Sequence, residues 1–163
     1  MTTLAPAASA LRQLLNALEK LAEGFALYDP HDRLLVCNRA YADLWAEVDI
    51  AIEPGLDYKD LLRTALDAGC FPEARGREAE WLAERLAARL QDRRVYERKT
   101  TSGRWVRMDS RRTDDGGRVC SVVDITDLKA READAKQAHA FLDTIIEAVP
   151  APLVVRTGPM DGT

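Results

Sequence analysis

The chain has 163 residues, which is enough for one domain of ordinary size plus extensions. Hydrophobic residues make up 47%, which is normal for a globular core, and charged residues make up 31%, which is on the high side. The formal net charge of -4 favours neither nucleic acid nor an anionic membrane surface as a partner. No apolar run has the length of a membrane span, and the N-terminal residues lack the basic start of a secretion signal.

The first predicted element is an amphipathic helix over residues 8–23, which ends before Gly24. Two short β-compatible runs follow, 25–29 and 33–38, and the Asp-Pro turn between them predicts a hairpin. The apolar stripe of the helix consists of Leu11, Leu14, Leu15, Leu18, Leu21 and Ala22.

Three helices are predicted in the middle of the chain. Asn38 is a good N-cap for a helix over 39–48, and Asp57 can cap a second helix that stops at Gly69. Residues 77–94 form the most regular helical pattern, with apolar side chains on one side and charges on the other.

After residue 94 the hydrophobic period changes from helical to two. The segment 95–126 contains three strand candidates separated by turn signals at 101–103 and 114–117. Two strands, then helices, then three strands predict an α+β fold in which helices cover one face of an antiparallel sheet.

The turn of the last hairpin decides which side chains face each other. A two-residue turn at 115–116 places Arg107 opposite Asp124, whereas a turn at 116–117 places Asp109 opposite Asp124. The first arrangement pairs opposite charges and the second pairs like charges, so the first register is favoured.

Two motifs in this order resemble a PAS domain. They are "GFALYDPHDRLLVCNRAYADLW" (24–45) and "GRWVRMDSRRTDDGGRVCSVVDITDLKARE" (103–132), which includes an Asp-x-Thr exit motif at Asp124-Ile125-Thr126. The resemblance implies a PAS fold with a five-stranded antiparallel sheet over 24–127. It also implies an N-terminal amphipathic helix in residues 1–23 and a C-terminal linker helix over 128–149.

The end of the chain resembles the start of a second PAS domain, in "AFLDTIIEAVPAPLVVRTGPMDG". Residues 150–163 are too few to form a core and are expected to be disordered, and the chain is interpreted as the N-terminal part of a longer signalling protein. In the linker, Leu128, Ala135, Leu142 and Val149 repeat every seven residues, which makes only a weak coiled-coil seam.

The resemblance implies a sensory and dimerisation module rather than an enzyme, and no catalytic motif is present. The expected relay residues are Arg107, Asp124 and Thr126, which would pass a signal to the linker and then to an output domain. By resemblance, that domain is a histidine kinase or an enzyme that makes or degrades cyclic-di-GMP. The alternative is a ligand-independent scaffold that recruits a partner protein through its sheet.

The sequence is compatible with a small-molecule ligand, while no cofactor or metal site is predicted. Haem binding is not expected, because residues 81–94 contain no axial ligand. Flavin photochemistry is not expected, because residues 53–62 lack a reactive Cys. His139 lacks the sequence context of a phosphorylated histidine. The same aromatic and apolar residues can line a pocket or simply fill the core. They are Phe25, Leu27, Tyr41, Trp45, Trp81, Tyr96, Trp105 and Met108.

The first two strands are apolar on both faces, so the outer face of the sheet needs a cover. The leucine stripe of residues 8–23 can cover it within one chain or pair with its twin, and a parallel homodimer is favoured. Cys37, Cys70 and Cys120 are scattered without a metal or disulfide pattern, and a cytoplasmic location is expected.

Overall fold

The computed structural model describes residues 4–148, with side chains from residue 6. The chain divides into two units at the junction of Thr126 and Asp127. The predictions for Val149 and for 150–163 lie outside the described residues. The elements of the first unit are α1 (Leu4–Glu19), β1 (Gly24–Tyr28), β2 (Leu34–Cys37), α2 (Arg39–Asp43), α3 (Tyr58–Asp67), a 3-10 turn (Pro72–Ala74), α4 (Glu78–Arg89), β3 (Arg93–Lys99), β4 (Trp105–Arg112) and β5 (Arg118–Asp124).

The five strands form one antiparallel sheet in the order β2-β1-β5-β4-β3, which confirms the predicted α+β architecture. The first and last strands of the sequence, β1 and β5, are neighbours at its centre. Side chains alternate between two faces. We call the face that packs against α2, α3 and α4 the inner face and the opposite one the outer face.

The core lies between the inner face and the helices. Leu61 and Leu62 of α3 are 0% and 1% exposed, and each stabilises the fold by about 1.5–3 kcal/mol through its burial. α3 begins at the predicted cap, because the Asp57 carboxylate accepts a hydrogen bond from the Lys59 N–H at 2.8 Å. It ends before Gly69, whose positive φ of 74° suits glycine.

Two predicted helices are shorter than expected. The helix after Asn38 is regular only over Arg39–Asp43, and the chain then continues as tight turns that bury Trp45 and Val48. α4 ends at Arg89 rather than at residue 94, because the following residues join β3. Tertiary pairing therefore overrides the helical propensity at the end of the charged segment.

The last hairpin has a three-residue loop, which differs from both predicted turns. The Thr113 N–H donates to the Gly117 carbonyl at 3.0 Å, and the Gly116 N–H donates to the Thr113 carbonyl at 2.9 Å. Gly116 has φ of 87°, the left-handed conformation that such a loop requires at its last position.

This loop shifts the register by one residue and corrects the predicted charge pair. Asp124 lies opposite Val106, and Arg107 lies opposite Val123. A shift of one residue moves a side chain to the other face of a sheet. Arg107 therefore lies on the outer face, where its guanidinium binds Glu97 at 2.8 Å, and the Arg107–Asp124 pair was wrong.

Asn38 connects three elements through one buried side chain that is 1% exposed. Its Oδ1 accepts hydrogen bonds from the N–H groups of Phe25 (2.8 Å) and Tyr41 (3.1 Å). Its Nδ2 donates to the carbonyls of Leu18 (2.9 Å) and Glu23 (2.8 Å). The predicted N-cap is confirmed, and the same amide also holds the end of α1 and the start of β1.

α5 (Thr126–Ala148) begins with the last residue of the first unit, and its remaining residues belong to the second unit. None of the described α5 side chains is buried. Phe141, Leu142, Ile145 and Ile146 are 43% to 70% exposed near its end. Of the helices in the described range, none combines the length and the apolar character of a membrane span.

We predict that Asn38→Ala lowers the free energy of unfolding by about 2–4 kcal/mol, because it leaves backbone groups at a buried site without partners. Chemical denaturation followed by circular dichroism measures this change. The control is Asn16→Ala on the exposed surface of α1, which should stay within about 0.5 kcal/mol of the wild type. Equal stability of the two variants would contradict the role given to Asn38.

Candidate functional site

The eight predicted pocket residues do not line one pocket. Strand alternation places Phe25, Leu27 and Trp105 on the outer face, away from the helices. The other five contribute to the core between the helices and the inner face. They are Tyr41, Trp45, Trp81, Tyr96 and Met108.

The inner face encloses a cavity of about 20 Å³, lined in part by Tyr41, Tyr58, Met108 and Cys120. This volume is enough for a molecule the size of water and too small for an organic ligand. The Tyr28 and Tyr41 hydroxyls lie 2.9 Å apart beside the core, so these two buried phenols are partners for each other.

Arg89 of α4 lies in this core although it is charged. Its Nε donates to both carboxylate oxygens of Asp32, at 2.8 and 2.9 Å, and its guanidinium carbon lies 3.4 Å from the centre of the Tyr58 ring. Asp32 adopts a positive φ of 61°, which is uncommon for a residue other than glycine. The ion pair joins the β1–β2 turn to the end of α4, and removal of either partner would leave a buried or half-buried charge.

A second buried arginine, Arg118 of β5, has only neutral hydrogen-bond partners. It donates to the Ser110 hydroxyl at 3.1 Å and to the Gln91 carbonyl at 2.9 Å. Burial, together with repulsion from Arg89, lowers the pKa of Arg118 from its usual value. The inner side of the domain is therefore more cationic than the net charge of the chain suggests.

Three further arginines lie between α4 and β3, and we call Arg85, Arg94 and Arg98 the arginine cluster. Arg85 stacks 4.3 Å from the centre of the Tyr96 ring, which Arg94 shares at 4.6 Å. Arg85 and Arg98 also share the Phe71 ring, at 5.8 and 5.2 Å. Aromatic faces attract such cations, so the rings hold the three guanidinium groups close together.

The sequence analysis missed this cluster because the charges of 77–94 were assigned to a solvent-facing side of one helix. The available signal was the alternation of arginine with Tyr96 in β3, which places residues 94 and 98 on the same face as that ring. A second signal was the spacing of Trp81, Arg85 and Arg89 at four-residue intervals on α4.

The exit motif is a compact set of hydrogen bonds at the end of β5. The Asp124 carboxylate accepts from both the hydroxyl and the N–H of Thr126, and these bonds lower its pKa, so it is ionised at neutral pH. The Thr126 hydroxyl in turn accepts from the Trp105 N–H at 3.0 Å, and the Ile125 N–H donates to the Trp105 carbonyl at 2.8 Å. The motif thus ties the end of β5 to the start of β4, while Arg107 lies elsewhere.

The predicted dimer residues lie on α1 and after it, and most of them are exposed. Leu11, Leu14, Leu15 and Leu21 are 38% to 57% exposed, Ala22 is exposed and only Leu18 is half-buried. The recorded hydrogen bonds from α1 to the rest of its unit involve Leu18 and Glu19 at its C-terminal end. Within one chain, the leucine stripe is therefore left largely uncovered.

No group of three or more His, Cys, Asp or Glu side chains in the described part of the chain is arranged to hold a metal ion. The candidate site consists of the cationic inner side and the exit motif described above.

Comparisons with known proteins agree with this geometry. A family model described as the PAS fold matches residues 18–133. The chain is 30% identical over 142 residues to the non-motile and phage-resistance protein of Caulobacter vibrioides, and the match covers 87% of the chain but only 15% of that relative.

The chain is also similar to many solved structures, including the following two. The PAS domain of Bordetella pertussis BvgS matches with 20% identity and a TM-score of 0.47, covering 80% of this chain and 98% of that one. A domain of a sensory box sensor histidine kinase/response regulator from Geobacter sulfurreducens matches with 22% identity and a TM-score of 0.40, covering 76% and 98%. Because the family model covers more than half of the chain, from the end of α1 into α5, the protein belongs to the PAS-fold family.

Proposed function

We propose that the chain is a sensory and dimerisation module of a longer signalling protein, and that it passes conformational change through its exit motif into α5. The observation that carries this proposal is the double attachment of Thr126. Its hydroxyl donates to Asp124 at the end of β5 and accepts from Trp105 at the start of β4.

The attachment supports a relay because the first residue of α5 is bonded to two adjacent strands. A displacement of β4 against β5 must stretch one of these hydrogen bonds or move Thr126 with it. A difference of a few kcal/mol between two such arrangements is enough for an input to change their populations. The relay residues in this proposal are Asp124 and Thr126, together with Trp105, which replaces the expected Arg107.

The output domain belongs to the part of the protein outside this chain. The chain spans 15% of the length of its Caulobacter relative, which supports a modular protein with further domains. The proposed output is a histidine kinase or an enzyme of cyclic-di-GMP metabolism, and the chain itself is proposed to be non-catalytic.

The proposed dimer is parallel and uses the leucine stripe of α1. Three leucines of α1 and Leu21 after it remain exposed in the single chain, which is a substantial apolar surface. Apolar side chains on β1 and β5, among them Phe25, Leu27, Val119 and Val123, are only half-buried on the outer face. A second copy of α1 can cover part of either surface and bury it from water.

A second candidate function is a ligand-independent scaffold that recruits a partner protein. The half-buried apolar residues of the outer face are the observation that favours it, because a partner can cover them as well as a second copy can. For either function we propose a cytoplasmic location, which suits the free thiols of Cys37, Cys70 and Cys120.

We expect Leu14→Glu to weaken homodimerisation by about a hundredfold, because it removes one buried leucine from each protomer and introduces two charges. Light scattering coupled to size-exclusion chromatography over a dilution series measures the dissociation constant. Asn16→Glu, on the opposite side of α1, adds the same charge and should leave the dimer unchanged. A monomeric wild type, or a Leu14→Glu variant that still forms dimers, would exclude the proposed interface.

In the full-length protein, we expect Asp124→Ala to change the basal output activity by about fivefold or more, because it removes the acceptor that holds Thr126 to β5. The loss of these hydrogen bonds should cost only about 1 kcal/mol of stability, so the domain stays folded. The assay compares output activity and thermal unfolding of wild type and variant. Asp127→Ala removes the same charge at the residue that directly follows the exit motif, and its output should match the wild type. The relay proposal fails when both variants give wild-type output.

A further inference from the structure

We propose that Arg85 and Arg94 of the arginine cluster bind a small oxyanion, a carboxylate or a phosphate, in the cleft between α4 and β3. The proposal deepens the proposed sensory function, on which it rests, because it names the chemical class of an input. It concerns a cleft that opens beside α4 rather than the 20 Å³ internal cavity.

The cleft has a volume of about 290 Å³ and is open to solvent on one side. Arg85 and Ala88 of α4 contribute to one wall, Arg94 of β3 to the other, and the Trp81 ring lies beside them. Glu84 also lines the cleft, but its carboxylate is bound to Arg77 at 2.6 Å. The Glu84 carboxylate is therefore not the partner of either guanidinium group that lines the cleft.

The charges of the cluster have no acidic partner within the part of the chain that the structure describes. By contrast, the buried Arg89 of α4 has the acidic partner Asp32. Among the ion pairs between described residues, none includes Arg85, Arg94 or Arg98. A cationic group away from water is costly without a counter-charge, so a bound anion would stabilise these three charges.

Hydrogen-bonding capacity supports the same conclusion. The Nε atoms of Arg85 and Arg98 are buried and have no hydrogen-bond partner in the described part of the chain. Burial, with repulsion from Arg85, lowers the pKa of both Arg94 and Arg98. An oxyanion bound at Arg85 would offset this repulsion and stabilise all three cations together.

The chemical class follows from the side chains. Guanidinium groups bind carboxylates and phosphates through two parallel hydrogen bonds, a geometry that an inorganic halide cannot match. Trp81 and Ala88 add an apolar border that suits the carbon part of an organic anion. The site therefore fits an anion with planar or tetrahedral oxygens better than a simple counterion.

The location also connects the cleft to the relay. Arg94 lies on β3, and the end of that strand pairs Lys99 with Trp105. Trp105 is the residue whose backbone binds Thr126 and Ile125. An anion that draws β3 towards α4 would therefore act on β4, the strand that is bonded to both β3 and the exit motif.

The test is isothermal titration calorimetry of the full chain with sodium succinate and, separately, with sodium phosphate, at constant ionic strength maintained with sodium chloride. We expect at least one probe to bind the wild type, and Arg94→Gln to weaken that binding at least tenfold. Arg94→Lys keeps the charge but loses the paired hydrogen bonds, and its affinity should fall between the two.

Arg93→Gln is the matched control, because it removes the same charge one residue away on the outer face, where Arg93 binds Asp109 at 2.8 Å. Its affinity should equal that of the wild type. Thermal unfolding confirms that each variant is folded, and Arg85→Gln provides a second removal if Arg94→Gln is unstable. Binding of succinate alone identifies a carboxylate ligand, and binding of phosphate alone identifies a phosphate ligand.

Two results would overturn the site: neither probe binds the wild type, or Arg93→Gln weakens binding as much as Arg94→Gln does. Neither result affects the relay, because the Asp124→Ala experiment measures output without any added anion. If Asp124→Ala gives wild-type output while the wild-type chain still binds an anion, the proposed function is refuted and the anion site is retained.

Discussion

The structure depends on the side-chain amide of Asn38. This single group donates to two carbonyls and accepts from two N–H groups, so its whole hydrogen-bonding capacity is used at a site that is 1% exposed. Through these bonds, the end of α1, the first strand and the start of α2 share one fixed point. Gly24 permits the close approach, because a Cβ there would lie 3.2 Å from the Tyr41 Cα and from the Val122 Cβ. These contacts position β1, one strand of the central pair β1–β5, against α2.

The second constraint is the register of β4 and β5, which assigns every side chain of the last hairpin to a face. The register of β3 and β4 in turn places acidic side chains of the outer face beside arginines, as at Asp109, which binds both Arg93 and Arg111. Burial patterns place Arg94 and Arg98 on the inner side, where rings rather than carboxylates receive them. Arginines on the outer face of the sheet are thus bound by carboxylates, whereas Arg94 and Arg98 on the inner face pack against aromatic rings. This contrast is the physical basis of the proposed anion site.

The two proposed activities share β4. Its first residue, Trp105, is bonded to the start of α5 and pairs with Lys99 at the end of the strand that carries Arg94. A ligand at the edge of the sheet and a helix at the end of the chain can therefore be coupled through adjacent hydrogen-bonded strands. Such coupling requires two arrangements of the strand pair that the ligand stabilises unequally. The exposed leucines of α1 are separate from this route and concern the association of two chains.

Local chemistry was predictable from the sequence, whereas long-range geometry was not. The sequence by itself determined the α+β order of elements, the caps at Asn38 and Asp57 and the exit motif, because each depends on side chains within a few residues of the backbone they bind. Only the tertiary structure decided the register of the last hairpin, the separation of Phe25 and Trp105 from the inner aromatics, and the meeting of Arg85 with Arg94. The reason is that one residue in a loop reverses the faces of a strand, and that charges distant in sequence become neighbours only when a helix packs on a sheet.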